Sequence, residues 1–214
     1  MNNPTRIYVV RHAQSRFNAG VDTQDLNASL TNLGIEQAKK IAQEFKDINF
    51  VAIFASSLNR SKETADIIKN GRDLPIVTNG TTNERSFYQY SRKIKREEVE
   101  LEEEMMNEII KLPEKSKMGY KHSPEMESAE EGAIRLLNLL REISKDFRGK
   151  NVLVASHGNL MRSILTFLGY AKYDELPTGS VKNTAYFVLE TDGQNFNVVE
   201  THNIEKQKGV IRVW

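Results

Sequence analysis

Two short apolar runs, each ending in a histidine, constrain this chain more than any other feature. Ile7-Tyr8-Val9-Val10 is β-branched and aromatic, reads as a buried strand, and gives way at once to Arg11-His12-Ala13-Gln14-Ser15-Arg16-Phe17-Asn18. Asn151-Val152-Leu153-Val154-Ala155-Ser156 repeats the pattern and runs into His157-Gly158-Asn159. Runs this short and apolar suit a sheet covered on both faces. In such open α/β sheets, ligands bind just beyond the carboxyl ends of the strands, which is where both histidines stand.

The stretches between and beyond these runs alternate in the same sense. Ala13 to Leu30 is rich in Ser, Asn, Gly and Asp and reads as a loop. Thr31 to Phe45 places Ala38, Ile41, Ala42 and Phe45 on one helical face behind Thr31 as N-cap. Phe50–Ala55 reads as a strand, with Ser56 and Ser57 capping a helix to about Ile68. Arg60 then falls in that helix's first turn, where a cation opposes the helix dipole and points to a nearby anion; an isolated arginine there would be solvated. Leu74-Pro75-Ile76-Val77 reads as a short edge strand, followed by a loop from Thr78 to Asn83. Glu125 to Asp146 reads as a long helix, Asn159 to Phe167 as another, and Thr184 to Leu189 with Phe196 to Thr201 as a hairpin about Asp192-Gly193. The pattern predicts an α/β fold with a mainly parallel central sheet and helices on both faces.

One stretch breaks the alternation. Past Tyr90, Arg92, Lys93, Lys95 and Arg96 precede a run of glutamates from Glu97 to Glu104, while Ile94, Leu101, Met105, Ile109 and Leu112 share one helical face. This predicts a helical insert over about 92–124 in a single domain spanning 1–214, with Pro113 to Pro124 as a flexible joint and the insert as a cap over the site.

Composition narrows the function. The chain has 214 residues, enough for one domain that buries about 70% of its unfolded surface. It has no cysteine, so neither a thiolate nucleophile nor a cysteine zinc site is available. Its net charge of +1 argues against a nucleic-acid-binding face. Without an apolar leader before Ile7 or a long apolar run, the expectation is a cytoplasmic protein with no membrane partner. The oligomeric state is not legible.

Arg11-His12-Ala13-Gln14-Ser15 with Asn18, Arg60 within Ser56 to Ala65, Glu84 before Arg85, and His157-Gly158 follow one another in an order that resembles the histidine phosphatase superfamily, whose Arg-His-Gly motif also marks phosphoglycerate mutases. The resemblance covers roughly residues 5 to 90 and 125 to 190. It implies that His12 is a nucleophile, that Arg11, Arg60 and His157 stabilise a phosphoryl group, and that Glu84 is the general acid. It also implies that Gln14, Ser15, Asn18, Gly158 and Asn159 surround the substrate phosphate. Ala13 stands where the family has glycine, Gln14 where many members have Glu, and Phe87-Tyr88-Gln89 replaces a glycine near the acid.

The residue types fit that chemistry. Phosphoryl transfer spreads charge over three equatorial oxygens and depends on positioned cations and N–H donors. Two guanidiniums supply fork geometry for those oxygens. A neutral imidazole can attack phosphorus, and cationic neighbours keep it neutral. No His-Glu-x-x-His or acidic metal motif is present, so no metal or other cofactor is expected. The expected activity is a metal-independent phosphatase acting on a small phosphomonoester through a phosphohistidine. Phosphoglycerate mutase-type transfer stays open, although the family's mutases carry tryptophan after the motif and Phe17 to Leu30 has none; so does a non-catalytic phosphate-binding module. Tyr88, Tyr90 and the insert would set specificity.

Overall fold

The computed structural model describes residues 3–85, 105 and 107–207. Its main elements are β1 (Thr5–Arg11), α1 (Asn32–Glu44), β2 (Phe50–Ala55), α2 (Asn59–Lys69), β3 (Ile76–Thr78), α3 (Ala129–Asp146), β4 (Asn151–Ser156), α4 (Gly158–Phe167), β5 (Val181–Thr191) and β6 (Phe196–Ile204). They build one six-stranded sheet in the order β3-β2-β4-β1-β5-β6. The first four strands in that order run parallel, and β5 and β6 are antiparallel to their neighbours. The fold is α/β with a mainly parallel sheet.

Alternation along β1 decides which helices cover which face. Ile7 and Val9 pack with Leu136 and Leu140 of α3 and Leu160 and Ile164 of α4. Tyr8 and Val10 pack with Ile41 of α1, Phe45, and Ala65 and Ile68 of α2. Both faces of the central strands are therefore dry, as their unbroken apolar runs require. Leu136 and Leu160 are fully buried, and truncating either to alanine costs about 2–5 kcal/mol.

The caps refine the sequence reading. Thr31 caps α1 as expected, its hydroxyl accepting from the Gly34 N–H at 2.9 Å. The long helix starts at Ala129 rather than Glu125, because Ser128 and Glu131 form a reciprocal capping box. Ser56 and Ser57 do not cap α2: Leu58 occupies that position with no side-chain bond, Ser57 bonds Asn83, and Ser56 turns inward. The segment expected to be a joint contains a helical turn, Glu114–Lys117, whose buried Lys117 pairs with Asp174 and Glu114. Of the expected insert helix, residues 107–111 are helical and Met105 and Ile109 are buried. Ile94, Leu101 and the charged run around them lie outside the described residues, as do Phe87, Tyr88, Gln89 and Tyr90.

Candidate active site

β1 and β4 lie side by side in parallel register, with Arg11 opposite Ser156 as the last pair. The next residue of each strand is a histidine. His12 continues the ladder, its N–H donating to Ser156 O at 3.0 Å, and the His12 and His157 rings sit 5.0 Å apart between centroids. Both are buried.

Hydrogen bonds assign the His12 tautomer. Nδ1 lies 2.7 Å from the Ala13 carbonyl oxygen, which can only accept, so Nδ1 carries the hydrogen. Nε2 is left with its lone pair and accepts from Arg60 Nε at 3.2 Å. Arg60, the second residue of α2, is buried rather than solvated, and its Nη1 also donates to Leu26 O at 2.6 Å. Burial, then the charges of Arg60 and Arg11, hold His12 well below the usual histidine pKa. The same causes, with His12 next after burial, depress His157. Both imidazoles are neutral near pH 7, the form a nitrogen nucleophile needs.

The second histidine is held differently. His157 Nε2 lies 2.8 Å from the Ser56 hydroxyl, which already accepts from the Leu58 N–H at 3.3 Å. With the Ser56 hydrogen donated to Nε2, the proton of a neutral His157 ring stands on Nδ1. That Nδ1 is buried, with no hydrogen-bond partner among the described residues. His157 is also the N-cap residue of α4. Gly158 follows it so closely under Arg11 that a Cβ there would lie 3.2 Å from Arg11 Nε. Arg11 itself donates from Nη1 to Val181 O at 2.5 Å.

Glu84 caps the same helix. Its carboxylate accepts from Asn159 N at 3.1 Å and Leu160 N at 2.9 Å, and from Arg85 N at 3.0 Å. An anion at a helix N-terminus is stabilised by the free N–H groups and the dipole. The Asn159 side-chain oxygen accepts from Arg162 at 2.8 Å.

The remaining expected residues shape the loop after β1. Ser15 and Asn18 bond each other, Ser15 Oγ donating to Asn18 Oδ1 at 3.1 Å. Gln14 accepts from the Thr31 hydroxyl at 2.8 Å, tying the loop to the start of α1. Ala13 is fully buried against Leu30 and Ala38, with its N–H on Thr64 Oγ1 at 3.0 Å. Three polar partners escape the sequence reading: Ser56 on His157, Thr64 on Ala13, and Asn183, whose Nδ2 donates to His12 O at 3.0 Å. Only Ser56 leaves a sequence signal, a polar residue ending a strand as His157 does.

The sequence profile of the histidine phosphatase superfamily (branch 1) matches residues 7–204. The chain belongs to this superfamily. Among the relatives of this histidine phosphatase superfamily chain is a 2,3-bisphosphoglycerate-dependent phosphoglycerate mutase of Parvibaculum lavamentivorans, 27% identical over 213 residues that cover 95% of this chain and 99% of the relative. A metal-independent phosphoserine phosphatase of Arabidopsis thaliana is 28% identical over 163 residues, covering 75% of this chain and 67% of the relative. The crystal structure of a phosphoglycerate mutase from Bacillus anthracis superposes with a TM-score of 0.78 at 20% identity, covering 94% of each chain, which shows the shared fold. Within that fold, His12 touches both Arg60 and the His157 ring, Arg11 lies over Gly158, and Glu84 lies at the N-terminus of the helix that follows His157. Among the described residues no group of three His, Asp or Glu side chains is arranged to hold a metal ion, and no helix is long and apolar enough to cross a membrane.

Proposed function

We propose that this protein is a cytoplasmic, metal-independent phosphohydrolase that cleaves a small phosphomonoester through a phosphohistidine on His12. The observation that carries this reading is the way the two nitrogens of the buried His12 ring are held. Its proton is tied to Ala13 O, and its Nε2 lone pair sits against the Arg60 guanidinium.

In this reading the substrate phosphoryl oxygens meet Arg11, Arg60 and the His157 Nδ1–H, each charge-assisted bond contributing about 1.5–3 kcal/mol. Nε2 attacks phosphorus as the bond to the leaving oxygen breaks. Glu84, released from the helix N-terminus and protonated, gives that oxygen its hydrogen. Water then attacks the phosphohistidine, losing a proton to the Glu84 carboxylate. The P–N bond breaks, the lone pair returns to Nε2, and phosphate leaves. Lone donors would not suffice, since enzymatic accelerations of phosphomonoester hydrolysis reach ~10²¹.

A mutase is the second reading, favoured by the end-to-end match to the Parvibaculum mutase. One experiment separates the two. The protein, with and without chelator, is given p-nitrophenyl phosphate, phosphoserine and 3-phosphoglycerate, and both released phosphate and 2-phosphoglycerate are followed. Phosphate release that survives the chelator is expected, with acid-labile phosphate on His12 in quenched samples and none in His12→Ala. Faster formation of 2-phosphoglycerate than of free phosphate would favour the mutase. A requirement for added metal, or label elsewhere than His12, would overturn both.

A further inference from the structure

We propose that Asn183 is a positioning residue for His12, delivered to it by a distortion built into β5; this rests on His12 being the nucleophile. β5 pairs with β1 only from Tyr186 to Thr191. Against β6, the pair Val181–Ile204 is followed directly by Tyr186–His202, so extra residues of β5 bulge out between them. Within that bulge Thr184 adopts φ 56°, left-handed backbone that a β-branched residue rarely occupies, and Asn203 on the facing strand has φ 54°. The Thr184 hydroxyl folds back to Asn183 O at 2.7 Å. Bulges and strained residues of this kind collect beside functional sites, where they re-aim side chains.

Here the bulge and the paired residue that opens it each place one group on the Arg11-His12 pair. The Val181 carbonyl accepts from Arg11 Nη1, and Asn183 Nδ2 donates to the His12 carbonyl at 3.0 Å. The peptide between His12 and Ala13 is thereby gripped at both ends: its oxygen by Asn183, its N–H by Thr64 Oγ1. A peptide unit is a rigid plane, so fixing both ends fixes the direction of the chain on either side. The next carbonyl, that of Ala13, is the one that holds the His12 Nδ1–H at 2.7 Å. Asn183 therefore controls the aim of the nucleophilic nitrogen without touching the substrate. Thr64 completes the grip by donating its own hydrogen to Arg60 O at 2.7 Å, so the clamp also ties the nucleophile to the arginine helix.

The test uses the full chain and three variants. Asn183→Ala removes the amide, and Asn183→Asp keeps its size but removes the donor. Lys182→Ala alters an exposed neighbour in the same bulge. Single-turnover phosphoryl transfer from p-nitrophenyl phosphate, KM and the ¹⁵N shifts of the His12 ring are measured for each. Both Asn183 variants should slow the transfer by roughly tenfold or more with KM changed less than about twofold, because misaimed groups lose rate rather than binding. Their His12 nitrogens should move from the pure Nδ1–H pattern toward a tautomer mixture, and Lys182→Ala should match wild type. Wild-type rates and ring shifts in both Asn183 variants would overturn the proposal, as would an equal loss in Lys182→Ala. If wild type never carries phosphate on His12, the phosphohydrolase reading fails by itself. The ring shifts then still decide whether Asn183 sets the His12 tautomer.

Discussion

The Ser56 hydroxyl meets His157 Nε2 at 2.8 Å, with both residues fully buried, and as a donor there it would hold the ring proton on Nδ1. Ser56→Ala should let the proton migrate to Nε2 and turn Nδ1 from donor to acceptor. Phosphoryl transfer should then fall by roughly ten- to a hundredfold, as when one stabilising donor is lost. Stability should fall by about 1–3 kcal/mol for the unpaired buried group. Single-turnover rates and denaturant unfolding check both, and unchanged transfer would remove His157 from the list of phosphate donors.

The two histidines also predict the pH dependence of stability. Both are depressed in the folded state, by burial first and then by neighbouring cations. The unfolded chain binds these protons near the ordinary value of ~6.5, while the folded chain refuses them. Their contribution is therefore fully present above about pH 6.5 and is lost as the pH falls from there toward the folded values. Each adds a slope of up to about 1.4 kcal/mol per pH unit. Urea unfolding from pH 7.5 to 5 should show this decline, and His157→Gln should flatten it. A curve that stays flat to pH 5 in wild type would contradict the depressed values.

Glu84 can be separated from its helix-capping role by the leaving group. p-Nitrophenol departs readily as an anion, whereas an alkyl alcohol needs a proton, and acid catalysis is typically worth about 10²–10⁴-fold. Glu84→Gln should thus slow phosphorylation by alkyl phosphates far more than by p-nitrophenyl phosphate in single turnovers. Equal losses would mean that its contacts with Asn159 and Leu160, and not proton transfer, explain its importance.

Gly34 is required by close approach rather than by backbone freedom. A Cβ there would lie 2.0 Å from the Gln14 carbonyl oxygen, which is backbone and cannot swing aside. Gly34→Ala should cost about 2 kcal/mol or more despite the better helix propensity of alanine, and thermal unfolding is the measurement. A neutral or stabilising substitution would show that α1 and the loop after β1 can part.

Much of this architecture is legible in the amino-acid sequence. β4 and β2 match their apolar runs, β1 extends beyond Ile7–Val10 at both ends, and the two histidines follow because a strand end is visible in composition. The Ser56 partnership is not legible, because it depends on β2 lying beside β4, a neighbour relation that no local pattern encodes. Asn183 is hidden for a similar reason: it stands just ahead of the strand expected from Thr184, and only the bulge in β5, which begins at Val181, brings it to His12. The pattern places the start of α3 too early because Glu125 and Glu127 look like helix residues, whereas the Ser128–Glu131 box decides the boundary. Glu84 stands out by family resemblance, but its grip on the N-terminus of α4 is a tertiary choice.

The parallel register that sets Arg11 opposite Ser156 has a consequence for how such a chain can change length. The separation of the two imidazoles is measured across neighbouring strands and is indifferent to how much polypeptide loops out between them. Insertions after Glu84, even whole extra helices, leave that measure untouched. A single residue added or deleted within Thr5–Val10 would instead shift His12 along the strand and exchange the two faces of β1. Long insertions after Glu84 should therefore be tolerated where one-residue indels in β1 displace the site.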